Sequence, residues 1–314
     1  MTLHQHDLRR YYPKADEHIR QALAADVAFD HLLALMAQHQ LFDVCELVFK
    51  GGTAFRKYRF DATARLSTDL DFDGAPGADA VIAEEIDGQS VSGFEFSISE
   101  RRGFYTVHIR TPFDIEVATK MDFSTRGLWL DPETVAPLPV PIHDRYDIAL
   151  PSIPVVSVDE NVAEKLSRWQ NDPLVRDLHD LAHARRLIGS PQLVTRMWVL
   201  KSHQSMTQPR TRHPQGKPAA IVEDLFKPHP ASIFDLQDLI YPQQVPDIHK
   251  TELVQRWLNQ LPQQYDFCRT ALEPPLNELA ADIGHLAWRI PQEIDDIQAT
   301  TRSHQQPEIG LLDL

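Results

Sequence analysis

Residues 47–73, LVFKGGTAFRKYRFDATARLSTDLDFD, constrain the fold more than any other stretch of this chain. A short apolar run, Leu47-Val48-Phe49, leads into the turn Lys50-Gly51-Gly52-Thr53, and the stretch closes on Asp69-Leu70-Asp71-Phe72. A β-strand sends alternate side chains to opposite faces. A strand over 69–73 therefore puts Asp69 and Asp71 on one side and anchors Leu70 and Phe72 in a core. Two carboxylates so placed repel each other unless a cation lies between them. Oxygen-only ligands suit Mg²⁺, which is usually held by one or two carboxylates together with substrate phosphates. Upstream, the paired glycines let backbone N–H groups approach a ligand closely. Thr53 is placed to cap a helix whose N-terminus favours phosphate. A phosphate cradle followed by a divalent-metal pair is the minimum apparatus for nucleotidyl transfer. Alone, the first is a common turn and the second a common solvated strand end; their order and separation after an apolar strand make the combination specific.

The flanking pattern predicts an α+β chain. Ile19, Leu23, Phe29, Leu32, Leu33, Leu35 and Met36 recur at helical spacing, so one or two helices are expected over 14–40, starting near Pro13. Strands are expected at about 46–49 and 69–73, with a helix at about 54–60 between them. A short helix at 78–86 and a hairpin turning at Arg101-Arg102-Gly103 follow, then an alternating strand over 113–124 with Glu116, Lys120 and Asp122 on one face. Residues 131–154 are too rich in proline for regular helix and read as an extended connection. Ser157 or Asp159 caps the next helix, with Glu160 at the capping-box position after Ser157 and Val162, Leu166 and Trp169 as its buried stripe. A second helix carries Leu174, Leu178 and Leu181, with Arg176, Asp177 and Asp180 on a neighbouring face that composition alone reads as salt-bridged. Helices are expected at 191–204, 219–226, 231–240, 249–271 and 276–300, with Trp257, Leu261, Phe267, Leu272, Leu279, Ile283, Leu286 and Trp288 as core. The basic stretch 206–218, with Arg210, Arg212, His213 and Lys217, is a candidate contact for an RNA backbone.

With 314 residues, two regions are expected: a core domain at 1–150 and a helical C-terminal domain at 151–314 that completes the cleft. No apolar run approaches the roughly 20 residues that span a membrane, and no signal peptide is evident at the N-terminus. Two distant cysteines, Cys45 and Cys268, make neither a disulfide framework nor a zinc site, and the chain reads as cytoplasmic. A net charge of −14 argues against broad electrostatic binding of nucleic acid and leaves room for a local basic face.

LVFKGGTAFRKYRF followed by ARLSTDLDF resembles the AbiEii/AbiGii-type nucleotidyltransferase toxins, including the MenT-like group. These show a K-G-G-[TS] turn and then R-x-S-x-D-L-D-F, matched here by Lys50, Gly51, Gly52, Thr53, Arg65, Ser67, Asp69, Asp71 and Phe72. Leu66 stands where the family often has an aromatic. The resemblance covers about 45–190, and its second motif is A-E-K-L followed by R-D-L-x-D-L. It implies a mixed nucleotidyltransferase-type sheet flanked by helices, with the site between sheet and helical region. Asp69 and Asp71 would hold Mg²⁺. Lys50, Gly51, Gly52, Thr53 and Ser67 would bind the NTP, with Lys165 facing its triphosphate, Arg176 as orienter, and Asp177 preferred to Asp180 as the functional carboxylate. A third strand carboxylate is required, and Asp122 is preferred to Glu116. The implied activity is a toxin of the abortive-infection type, a phage-defence role, with a cognate antitoxin and the tRNA 3′ end as acceptor. Lys57, Arg59, Arg65, Arg101 and Arg102 are candidate phosphate contacts. Two other readings stand beside it: transfer to a protein side chain or small molecule, and a catalytically silent binding module.

Overall fold

The computed structural model describes residues 3–125, 127–206, 227–270, 292 and 294–300. Its frame is an eight-stranded mixed sheet. Helices α1 (Gln5–Tyr11), α2 (Glu17–Gln38) and α3 (Leu41–Val44) lead into β1 (Val48–Lys50), α4 (Gly51–Tyr58) and β2 (Leu70–Asp73). Helix α5 (Ala78–Ile86) and strands β3 (Ser90–Val91), β4 (Phe94–Arg101), β5 (Phe104–Arg110) and β6 (Glu116–Ser124) follow, then β7 (Glu133–Val135) and β8 (Ile153–Val155). The strand order is β3-β4-β5-β6-β2-β1-β8-β7. β2 sits at the centre, antiparallel to β1 and parallel to β6.

Alternation decides the faces. Leu70, Phe72, Phe94, Phe96, Val107, Ile109, Val117 and Met121 are buried in one core with the apolar side of α2. A second core gathers α6 (Val158–Asn171), α7 (Val175–Ala184), α8 (Pro191–Met206) and α9 (Asp247–Gln264) around Trp169, Trp198 and Tyr265. Helix α4 belongs to both: Ala54 and Tyr58 enter the first core, Phe55 the second. The candidate site lies where they meet.

Several expectations shift. Helix α2 starts later than Pro13, because Asp16 accepts a hydrogen bond from the Ile19 N–H at 2.9 Å and is its cap. Helix α4 begins at Gly51, and Lys50 is its N-cap. The proline-rich segment is more than a connection, since β7 and β8 lie within it and at its end, and β8 runs parallel to β1. Residues 231–240 form two short 3₁₀ turns, at Ala231–Ile233 and Leu236–Asp238, where one helix was expected. The helix expected over 249–271 is α9 followed by a short α10 (Phe267–Thr270). The basic stretch 206–218 beyond its first residue, the helix at 219–226, and core candidates Leu272, Leu279, Ile283, Leu286 and Trp288 lie outside the described residues. Cys45 and Cys268 are free and buried. Among the described residues no helix is long and apolar enough to cross a membrane.

A buried ionic cluster locks α4 to α2. The Lys57 ammonium donates to the Asp26 carbonyl and to Asp30 Oδ1, each at 2.7 Å, and lies 3.1 Å from Asp26 Oδ1. The Tyr146 hydroxyl donates to Asp30 Oδ2 at 2.8 Å, tying the proline-rich segment to the same point. Burial alone would raise the Asp30 carboxyl; Lys57 and His143 outweigh it and hold it well below the usual range. Lys57 is therefore no RNA contact. Lys57→Met strands two buried carboxylates and should cost about 3–5 kcal/mol in urea denaturation; a loss under about 1 kcal/mol would contradict the locking role.

Candidate active site

Strand register sets out the site. Lys50 on β1 pairs with Asp71 on β2, and Asp71 pairs with Asp122 on β6. Side chains directly opposite on neighbouring strands share a face. Asp69 lies one alternation back from Asp71, while Leu70 and Phe72 between and after them are fully buried. The carboxylates project as the sequence pattern required. Glu116 lies six residues back along β6, roughly 20 Å from this rung at the rise of a strand, and is opposite Arg110. The third carboxylate beside the pair is Asp122.

The two glycines have separate reasons. Gly51 has φ +79°, and a Cβ there would fall 2.1 Å from Asp71 Oδ2, so the carboxylate packs against the first residue of α4. A Cβ on Gly52 would fall 2.6 Å from an Arg65 guanidinium nitrogen and 3.3 Å from Ser67 Oγ. One glycine admits Asp71 and the other admits Arg65. Thr53 does not cap the helix. Its hydroxyl, fully buried, donates to the Asp69 carbonyl and fixes the start of β2.

Beneath the carboxylates lies a buried ion cluster. Arg65 donates from Nε to Asp180 Oδ1 at 2.9 Å and from a terminal nitrogen to Oδ2 at 2.7 Å, a two-pronged pair. Lys165 lies 2.7 Å from Asp180 Oδ2 and 3.0 Å from Asp177 Oδ1. His179 meets Asp180 Oδ1 at 3.0 Å, and burial pushes its imidazole down to about 4. Burial also works against the Asp180 carboxylate, yet Arg65 and Lys165 prevail and hold it well below the usual range. Arg65 is thus structural, not a phosphate contact, and Asp180 positions Arg65 and Lys165, not Arg176. Lys165 is 2% exposed and faces carboxylates, so its removal would unsettle this cluster as well as the site.

The more open charges ring the cleft. Arg176 holds Asp69 Oδ2 at 3.0 Å, and Lys120 holds Asp122 at 2.8 Å. Lys50 reaches Glu164 at 3.2 Å, and Lys201 with Lys50 holds the half-buried Glu164 carboxyl down to about 2. Arg168 lies 3.7 Å from Asp177 and is 43% exposed. Burial raises the Asp71 carboxyl; Arg168 and Lys165 pull it down, Asp69 and Asp122 push it up, and the net is upward. Burial, with two neighbouring carboxylates, outweighs the cations at Asp71. Among the described residues no three His, Cys, Asp or Glu side chains converge as a metal cage. The donors are nonetheless of the right kind for a hard dication, being carboxylate oxygens on adjacent strands.

Three site residues went unnoticed in the sequence. Asn161 donates to the Gly51 carbonyl at 3.3 Å, Glu164 takes Lys50, and Arg168 faces Asp177 and Asp71. Asn161, Lys165 and Arg168 are spaced i, i+4 and i+7, one face of α6, and that spacing was the available signal. Glu160 does not close a capping box. It accepts from the Trp129 and Leu130 N–H groups and from Lys201. Of the candidate phosphate contacts, Arg59 pairs with Glu133 at 3.0 Å, while Arg101 and Arg102 are exposed at the β4–β5 turn.

A family model described as nucleotidyl transferase AbiEii toxin, type IV toxin–antitoxin system, matches residues 32–248. Among solved structures, MenT4, a nucleotidyltransferase toxin from Mycobacterium tuberculosis H37Rv, is 30% identical, with a TM-score of 0.81 over 94% of this chain and 99% of that one. JHP933 from Helicobacter pylori is 18% identical over 81% of this chain and 98% of its own, at a TM-score of 0.37 that supports no argument. A comparison with curated protein sequences gives no match.

The cluster makes a pH-dependent prediction. A carboxyl held below its unfolded value near 4 stabilises the fold above that pH and loses its contribution as pH falls through the folded value. Asp180→Asn should cost about 3–5 kcal/mol at pH 7, with the gap to wild type constant down to about pH 5 and closing only below about pH 4. Urea titrations across pH 3–8 read it; a gap that closes by pH 6 contradicts an ionised Asp180.

Proposed function

The chain belongs to the family of AbiEii nucleotidyltransferase toxins of type IV toxin–antitoxin systems, and from that membership we propose that it transfers a nucleotide from an NTP to the 3′ end of tRNA. The observation that carries the reading is the rung of Asp71 and Asp122 on adjacent strands, with Asp69 beside it and the start of α4 against Asp71. The reaction needs one oxygen to attack the α-phosphorus and another to leave with pyrophosphate. Both carry negative charge in the transition state.

Asp69 and Asp71 are the residues to hold Mg²⁺, with Asp122 completing the set. Bound there, the ion lowers the pKa of the attacking hydroxyl and stabilises the leaving oxygen. Asp122 accepts the proton of the attacking hydroxyl, and Lys120 holds its carboxylate in place. Lys50 and the backbone at Gly51, where α4 begins against Asp71, bind the triphosphate, while Gly52, Thr53 and Ser67 shape that turn from within. Arg168 faces it from the open side and Lys165 adds positive charge from beneath. Arg176 orients Asp69, and Asp177 fixes Lys165 and Arg168. Growth arrest by blocked tRNA, countered by a cognate antitoxin and serving phage defence, is the biological reading that follows. The net charge of −14 favours the second reading, an acceptor on a protein or small molecule.

Incubation of the pure protein with total tRNA, Mg²⁺ and each α-labelled NTP, followed by a denaturing gel, separates these readings. We expect label on tRNA, and at least a hundredfold less with Asp71→Asn, about the loss typical of removing a key electrostatic group. Asn also removes a half-buried charge that Asp69 and Asp122 repel, so Asp71→Asn should denature no earlier than wild type at pH 7. Label on protein alone would overturn the tRNA acceptor. Undiminished label in Asp71→Asn would overturn the site.

A further inference from the structure

The rung that carries the carboxylates continues across the sheet. Tyr105 on β5 pairs with Met121 on β6, so the next position outward sets Phe104 opposite Asp122, and Phe104 in turn pairs with Arg101 on β4. One line therefore reads Lys50, Asp71, Asp122, Phe104, Arg101 across five strands. Phe104 is 53% exposed, and of the strongly exposed large apolar side chains among the described residues it is the one aromatic. The Lys120 ammonium lies 4.9 Å from its ring centroid.

The two flanks of the rung differ in chemistry. On the helical side Lys50, Lys165, Arg168 and Arg176 gather around Asp69 and Asp71. That side suits a triphosphate. On the other side stand an exposed ring, Lys120, and beyond them Arg101 and Arg102 at the hairpin turn. An aromatic face with basic side chains around it is how proteins hold single-stranded nucleic acid: bases stack on the ring and cations follow the phosphates. Two strand spacings place Phe104 about 10 Å from Asp71, a span that one nucleotide bridges when its 3′ oxygen is at the carboxylates and its base lies outward.

We propose that Phe104 is the stacking platform for the terminal base of the acceptor strand, with Lys120, Arg101 and Arg102 beside the phosphates that precede it. The proposal rests on the RNA-acceptor reading above and adds a specificity-determining residue to it. Stacking accepts any base, so the ring selects an unpaired 3′ end and leaves base identity open.

Phe104 is exposed on a hairpin, so Phe104→Ala and Phe104→Trp should both fold. In steady-state transfer to a tRNA, Phe104→Ala should raise the acceptor KM roughly 5- to 100-fold, the range expected for losing one base stack. The KM for NTP should stay unchanged and Phe104→Trp should retain tight acceptor use. A short RNA ending in 2-aminopurine gives an independent reading without NTP: its fluorescence should be quenched by wild type and Phe104→Trp and unaffected by Phe104→Ala. An unchanged acceptor KM in Phe104→Ala overturns the platform while leaving RNA transfer intact. A rise confined to the NTP KM overturns it too, since the ring would then serve the donor base. Wild type that labels no RNA and does not quench the probe overturns both the platform and the acceptor reading.

Discussion

The carboxylate of Asp180, held by Arg65 in two-pronged geometry and by Lys165 at 2.7 Å, is the contact on which the rest of this site depends. Arg65 comes from the loop before β2, Lys165 from α6 and Asp180 from α7, so one buried carboxylate joins the sheet to the helical region. Such a pair contributes little net stability, because desolvation offsets the attraction, and breaking it is costly. Its value here is geometric: the cluster admits one relative placement of the three segments. That placement sets Arg176 against Asp69 and Arg168 near Asp71. Gly52 leaves room for Arg65, which explains why the second glycine belongs to the ion cluster and not to a ligand loop.

The rung above that cluster is arranged differently. The Asp71 carboxyl is pushed up by burial despite Arg168 and Lys165, and it shares its face with Asp69 and Asp122. A fold shaped by stability alone would not set three carboxylates side by side against the first residue of a helix. Adjacent carboxylates beside a basic flank are what a dication and a triphosphate would together engage. The helical side carries Lys50, Arg168 and Arg176, and the hairpin side carries the exposed Phe104 ring with Arg101 and Arg102.

What was legible in the sequence was what is local. The period-two pattern at 69–72 needs no tertiary knowledge, because a strand of any origin that buries Leu70 and Phe72 turns Asp69 and Asp71 to its other face. The hairpin turning at 101–103, the strand bearing Asp122 and the Ser157 cap were read for the same reason. Charged side chains were misread where their partners are remote. Lys57 is answered by Asp30, and Arg65 by Asp180, more than a hundred residues away, so both looked like free basic residues. Thr53 failed as a cap because Lys50, already extended, ends the strand and starts the helix in one step. Strands β7 and β8 were hidden by the surrounding prolines; β8 lies between β1 and the edge strand β7, and its Pro154 stands opposite Thr134.

In the proposed arrangement, metal and triphosphate take the helical flank of the rung and the acceptor takes the other. A crystal structure of the protein with Mn²⁺ and a non-hydrolysable α,β-methylene NTP tests it most directly. Anomalous density is expected between Asp69 and Asp71, with the phosphates against the start of α4 and Arg168 and the Phe104 ring left open. Manganese away from these aspartates, or phosphates lying along Phe104 and Arg101, would contradict it.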